Sequence, residues 1–145
     1  MPVQDDATEL LDEDHKTVER LFQQYKAAHE PSRKRTLSQQ ICQELTVHTR
    51  IEEEVFYPAF RQATGDDQMV QHSEKEHHEA MDLVRRIEAA QVDDKVMLDL
   101  EDAILHHVQD EREKMFPQAR KAPGLDLQKL AQQLQVRKNE LMAHA

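Results

Sequence analysis

Apolar residues return every three or four positions through four long stretches of this chain, and no stretch alternates with period two. The first stretch carries Leu11, Val18, Leu21, Phe22 and Tyr25; the second Leu37, Ile41, Leu45, Ile51, Val55 and Phe56. The third carries Met69, Val70, Met81, Val84 and Ile87; the fourth Met97, Leu100, Ile104, Val108 and Met115. That period is the mark of amphipathic helices. Turn signals separate the stretches at Pro31-Ser32, Gly65-Asp66-Asp67, Val92-Asp93-Asp94 and Pro123-Gly124. Thr8 and Ser32 are read as N-caps of the first two helices, and the third and fourth start near Asp66 and Asp93. A shorter fifth stretch carries Leu127, Leu130, Leu134, Val136 and Leu141, interleaved with Gln132, Gln133, Gln135 and Lys138.

Only 2 Gly occur in 145 residues, too few for the tight turns of a sheet-rich fold or a Gly-rich phosphate loop. The expected fold is therefore all-α: an up-down-up-down four-helix bundle over about residues 8–122, with an additional half-exposed C-terminal helix over about 125–142. Length predicts one domain over 1–145. The net charge of −10 disfavours nucleic acid as a partner, because phosphate backbones are repelled. Cys42 is alone, so neither an internal disulfide nor a paired-thiol site is available. Neither a membrane span nor a signal peptide is expected, and the anticipated setting is cytoplasmic.

Each long stretch also puts a His on its apolar stripe: His15, His48, His77 and His107. Two of the stretches add a Glu one turn later, His48-x3-Glu52 and His107-x3-Glu111. This spacing sets imidazole and carboxylate on one helix face, about 6 Å apart. Both Glu are followed six residues on by a proline, Pro58 and Pro117, and the intervening runs match in their apolar positions. Asp14-His15 and Glu76-His77 share an acid-His context. The chain thus reads as two copies of one helical hairpin, with four His and two Glu facing a common midpoint. A single His on an apolar face is ordinarily a hydrogen-bonded core residue. Two carboxylates placed in a core are different, since an unpaired buried charge is costly. A metal is the economical partner. Imidazole and carboxylate ligands without thiolate suit an iron or manganese pair, and zinc could use a subset.

His106 competes with His107 for the fourth position, because Asp110 follows it at i+4. His107 is preferred: it lies on the stripe with Leu100 and Ile104 and stands ten residues before Pro117, as His48 stands before Pro58. His29, His72, His78 and His144 have polar neighbours and are read as surface residues. Glu44, one turn before His48, is the candidate for an extra ligand or an outer acceptor. Asp14 and Glu76 are candidate acceptors for imidazole N–H groups. Each lies about 100° around the helix from its own His, so it would have to serve a neighbouring one. Phe22, Leu45, Val55, Phe56, Met81, Val84, Ile104 and Met115 are expected to form the dry wall around the site.

These motifs, taken in order over about residues 8–120, resemble the hemerythrin-like, HHE cation-binding family. The resemblance implies a four-helix bundle around two iron ions joined by an oxo or hydroxo bridge, with Glu52 and Glu111 bridging both. It implies small-molecule ligands: dioxygen (oxygen binding), peroxide or nitric oxide, with a link to oxidative stress. Peroxide- or nitric-oxide-directed oxidoreductase activity is one expectation. Iron storage or delivery, an oxygen or iron sensor, or iron donation resembling iron-sulfur repair is the other. A monomer and a dimer are both compatible. The chain departs from the family's oxygen carriers at Ser73, where they place a fifth His, and in its HxxxE spacing at His107. Two six-coordinate irons offer about twelve positions, and four His, two bridging carboxylates and one bridging oxygen leave about two open. A fifth His would leave about one. Two open positions favour small-ligand reactivity over reversible oxygen carriage.

Overall fold

The helices start where side chains satisfy the free N–H groups of their first turns. A computed structural model describes residues 6–144. α1 (Ala7–Ala27) begins behind Asp6, whose carboxylate accepts from the Glu9 N–H at 3.0 Å. Thr8 is not the cap but sits in the first turn, donating its hydroxyl to Asp6 at 2.6 Å. Such a cap contributes about 1 kcal/mol. Ser32 is not a cap either. α2 (Pro31–Ile51) has Pro31 in its first turn, where the missing N–H leaves nothing unpaired, and it follows Glu30, which makes no capping bond. α4 (Asp67–Ala90), α5 (Asp94–Asp110) and α7 (Leu127–Ala143) begin behind Asp66, Asp93 and Asp126, each accepting from the N–H three residues on.

α2 continues through a π-helical turn, Glu52–Phe56, into α3 (Tyr57–Thr64), which Gly65 closes with a left-handed φ of 71°. α5 continues likewise through a second π-helical turn, Glu111–Met115, into α6 (Phe116–Lys121). The wider turns have a local cause. Pro58 and Pro117 carry no N–H, and their rings crowd the carbonyls four residues back, Glu54 and Glu113. One extra residue per turn relieves that crowding, and the N–H groups of Tyr57 and Phe116 bond five residues back, to Glu52 and Glu111.

The architecture is all-α, with no strand among the described residues. α1 packs on α2, α4 on α5, and α2 on α4, as an up-down-up-down bundle requires. α7 lies across α1, α2 and the first π turn. Two apolar clusters fill the interior. One, around Leu11, Ile51, Phe56, Phe60, Phe116 and Leu134, includes the buried face of α7. The other, around Phe22, Ile41, Leu45, Val84, Leu100 and Ile104, fills the opposite half. The buried His and Glu residues form a polar layer between them. Among the described residues no helix is long and apolar enough to cross a membrane.

Candidate metal centre

His15, His48, His77 and His107 come from α1, α2, α4 and α5, and Glu52 and Glu111 open the two π turns. All six are buried, and both glutamates are fully enclosed. Their atoms form two overlapping groups, His15, His48, Glu52 and Glu111 on one side, His77, His107, Glu52 and Glu111 on the other. Within each group the atoms lie within 4.8 Å of one another. Both glutamates belong to both groups, so each carboxylate faces two pairs of imidazoles.

The orientation of every imidazole is held from outside. His15 Nδ1 meets Asp12 at 3.1 Å and His48 Nδ1 meets Asp14 at 3.0 Å. His77 Nδ1 meets Glu53 at 2.7 Å and His107 Nδ1 meets Glu76 at 2.8 Å. An ionised carboxylate only accepts, so each Nδ1 donates and each Nε2 faces inward. The inward approaches are close: His15 Nε2 lies 3.0 Å from Glu111 Oε1, and His77 Nε2 lies 3.0 Å from Glu52 Oε1. His77 and His107 set their Nε2 atoms 3.0 Å apart. Yet His15 Nε2, His48 Nε2, Glu52 Oε2 and Glu111 Oε1 are buried without a hydrogen-bond partner. Lone pairs aimed at lone pairs need a positive charge among them, either protons or a cation.

The protonation energetics state the same demand. Burial opposes charge on His48, but the carboxylates of Glu52 and Asp14 carry its pKa up to about 10. His77 and His107 are also raised against burial, chiefly by Glu52 and Glu53 for the first and Glu111 for the second. Burial opposes charge on Glu52, but His48, Glu111 and His107 together hold it well below the usual carboxylate range. A site that draws positive charge this strongly, with imidazole and carboxylate donors and no thiolate, fits a metal pair.

Asp14 and Glu76 each act across to a neighbouring helix: Asp14 of α1 holds His48 of α2, and Glu76 of α4 holds His107 of α5. Asp12 and Glu53 complete the set and were not singled out by spacing. Lys138 of α7 reaches Asp14 Oδ1 at 2.5 Å, so the last helix is tied to the His48 side of the centre. Glu44 is half-buried and belongs to neither group of converging atoms. His107, not His106, occupies the fourth position; His106 is exposed, as are His29, His72, His78 and His144.

Tyr57 is the group that sequence reading missed. Its ring is fully buried and stacks on His77 at 5.3 Å between centroids. Its hydroxyl lies 2.9 Å from Glu111 Oε2, 3.1 Å from His77 Nε2 and 3.3 Å from Glu52 Oε1. Burial and the two glutamates push the phenol well above its ordinary pKa, so it keeps its proton and donates. Ser73, the small residue one turn before His77, lies beside this hydroxyl. In a regular α-helix a residue five after Glu52 would leave its face; the π turn brings it back. The signal was the match between the two runs before Pro58 and Pro117. Phe116 takes the equivalent place in the second copy and stacks on His15 at 5.9 Å, without a hydroxyl.

The predicted wall is partly redistributed. Leu45 and Ile104 line the closed space beside the imidazoles, together with Val18, Thr49 and Val108. Its volume is about 10 Å³. Phe22 and Val84 belong to the apolar cluster of one half, and Phe56 and Met115 to that of the other. Val55 is only partly buried and packs toward the α7 side, because the π turn rotates it off the inner face. Met81 is partly buried and sets its sulfur 3.9 Å from the Thr49 hydroxyl.

Comparison with known proteins agrees with this geometry. Residues 6–119 match the sequence profile described as the Hemerythrin HHE cation binding domain. A crystal structure of a hemerythrin HHE cation binding domain-containing protein from Mycobacterium kansasii superposes with a TM-score of 0.81 at 21% identity, covering 96% of this chain and 88% of that one. A protein described as a DNA nickase, from Nostoc sp. (strain PCC 7120 / SAG 25.82 / UTEX 2576), is 30% identical over 107 residues. That match takes in 71% of this chain but only 30% of the relative's length. On the profile match, which spans most of its length, the chain belongs to the hemerythrin HHE cation binding domain family.

Proposed function

We propose that this chain is a non-haem di-iron protein that binds or reacts with small ligands of the size of dioxygen, peroxide or nitric oxide. His15, His48, His77 and His107 would hold the two ions as terminal nitrogen ligands, and Glu52 and Glu111 would bridge them. The observation that carries the reading is the set of four buried atoms without a partner, His15 Nε2, His48 Nε2, Glu52 Oε2 and Glu111 Oε1. When bound, an iron pair supplies redox-active positions at which a small ligand can be taken up.

The chain's own residues do the rest. Asp12, Asp14, Glu53 and Glu76 hold the four Nδ1 protons outward and keep the Nε2 lone pairs turned in. Tyr57 holds a proton at its hydroxyl between Glu52, Glu111 and His77, a donor for an incoming anionic or electron-rich ligand. Val18, Leu45, Ile104 and Val108 exclude bulk water. The space beside the imidazoles is small, which favours small ligands over bulky organic substrates.

Metal analysis and optical spectroscopy of iron-replete protein test the assignment. About two irons per chain are expected, falling on His48→Ala. Less than about one iron per chain, unchanged in that variant, overturns it. Peroxide and nitric oxide titrations then separate reactivity from storage or delivery: turnover or a spectral change supports the first, silence the second.

A further inference from the structure

A second convergence of imidazole and carboxylate lies outside the buried centre, on the seam between α4 and α5. His72 and Glu76 stand one turn apart on α4, and His106 and Asp110 one turn apart on α5. Both pairs repeat, on the outer surface, the i,i+4 spacing of the buried His-Glu pairs. His72 Nε2 lies 3.3 Å from Glu76 Oε2 and 3.4 Å from Asp110 Oδ2. His106 Nε2 approaches the same two oxygens at 3.6 and 3.8 Å. Ligand atoms of His72, Glu76 and Asp110 fall within 4.8 Å of one another.

These separations are long for N–H···O hydrogen bonds, which centre near about 2.9–3.0 Å. They are close to the edge of a ligand tetrahedron, about 3.3 Å when each ligand stands about 2.0–2.1 Å from a zinc-sized ion. The charge balance also favours a cation. Two carboxylates share the spot, and the fixed cation nearest Asp110, Lys114, lies 3.9 Å from its other oxygen. The side chains of His72 and His106 are 58% and 70% exposed, so an ion can reach them from solvent. Glu76 uses its remaining oxygen to hold His107 Nδ1 at 2.8 Å, so its carboxylate is already oriented.

We propose that His72, Glu76 and Asp110, with His106 at their margin, form a surface site for a first-row divalent cation of the zinc or ferrous class, separate from the buried centre. Through Glu76, an ion there shares the carboxylate that orients His107. Mixed imidazole and carboxylate donors on two helices select such borderline ions over magnesium or calcium, which prefer oxygen alone.

The test is calorimetric titration of the full-length, iron-loaded protein with Zn²⁺, beside the His72→Ala/His106→Ala double variant and the Asp110→Asn variant. Wild type should bind one further equivalent per chain, absent from the double variant and weakened in Asp110→Asn, with iron content unchanged in all three. No further equivalent in wild type, or the same isotherm in the double variant, overturns the site. Failure of the buried centre to hold iron would appear in the metal analysis and leave the difference between isotherms standing, so the two assignments fail separately.

Discussion

Glu53 and Arg112 stand at matched positions, each directly after a buried glutamate, and they hold opposite imidazoles by different routes. Glu53 accepts from His77 Nδ1 directly, at 2.7 Å. Arg112 instead grips Asp12 at 2.6 Å, with Glu19 on its other nitrogens, and Asp12 accepts from His15 at 3.1 Å. The internal repeat is thus broken in charge at one place while the function of the place, fixing an imidazole, is kept in both halves.

The difference predicts unequal responses. Removing a carboxylate that orients a metal-ligating His costs about 10–100-fold in metal affinity. Glu53→Ala and Asp12→Ala should both fall in that range by chelator competition. Arg112→Ala should cost less, because it acts only through Asp12, and should add almost nothing in the Asp12→Ala background. An Arg112→Ala loss that persists in full in that background would break the route.

Lys138 should behave the same way toward Asp14. Lys138→Met should weaken metal retention modestly, and Asp14→Ala by about 10–100-fold. The double variant should match Asp14→Ala, since the lysine reaches the centre only through that carboxylate. Dissociation rates into a strong chelator measure all three.

Tyr57→Phe removes one oxygen and keeps the ring that stacks on His77; the second copy already has Phe at this place. Helix content and iron content should stay at wild-type level. Reactivity toward peroxide or nitric oxide should drop by about tenfold or more, as for loss of an outer hydrogen-bond partner. Stopped-flow traces indistinguishable from wild type would remove the hydroxyl from the proposed role.

Metal removal should lower thermal stability, because a cation that binds only the folded chain stabilises it by about 4 kcal/mol at a thousandfold excess over its dissociation constant. Calorimetry of stripped and reloaded protein should show the melting temperature recover on reloading, and His48→Ala should abolish most of that recovery.

Away from the centre, Asp94 accepts from Tyr25 at 2.7 Å and from Lys34 at 3.1 Å, and both hold its carboxyl below the usual range. A depressed folded pKa contributes stability above the unfolded value, about 3.9, that is lost as pH falls through the lower folded value. The melting-temperature gap between wild type and Asp94→Asn should therefore be open at neutral pH and close on acidification below about pH 4. A gap that stays constant into acid would separate the contact from the ionised carboxylate.

The helices and the six inward residues were legible because both depend on local spacing. Four apolar stripes fix which face of each helix turns inward, and a His or Glu on a stripe turns inward with it. Caps were less legible: Asp6 and Glu30-Pro31 displaced Thr8 and Ser32, since neighbouring residues compete for the same N–H groups. Val55 was misplaced and Tyr57 was missed for one reason. A π turn advances the chain by an extra residue, so every position beyond it shifts around the axis relative to an α-helical count.

By itself, the amino-acid sequence determined four helices, a twofold repeat and a layer of four His and two Glu, all set by the periodicity of a single helix. Tertiary packing decided which acceptor holds which imidazole: Asp14 with His48, Glu76 with His107, Glu53 with His77. It also decided that Lys138 of the last helix reaches Asp14 and that Tyr57 stands beside Ser73. Spacing fixes the direction in which a side chain leaves its own helix; only the register between helices fixes what it meets.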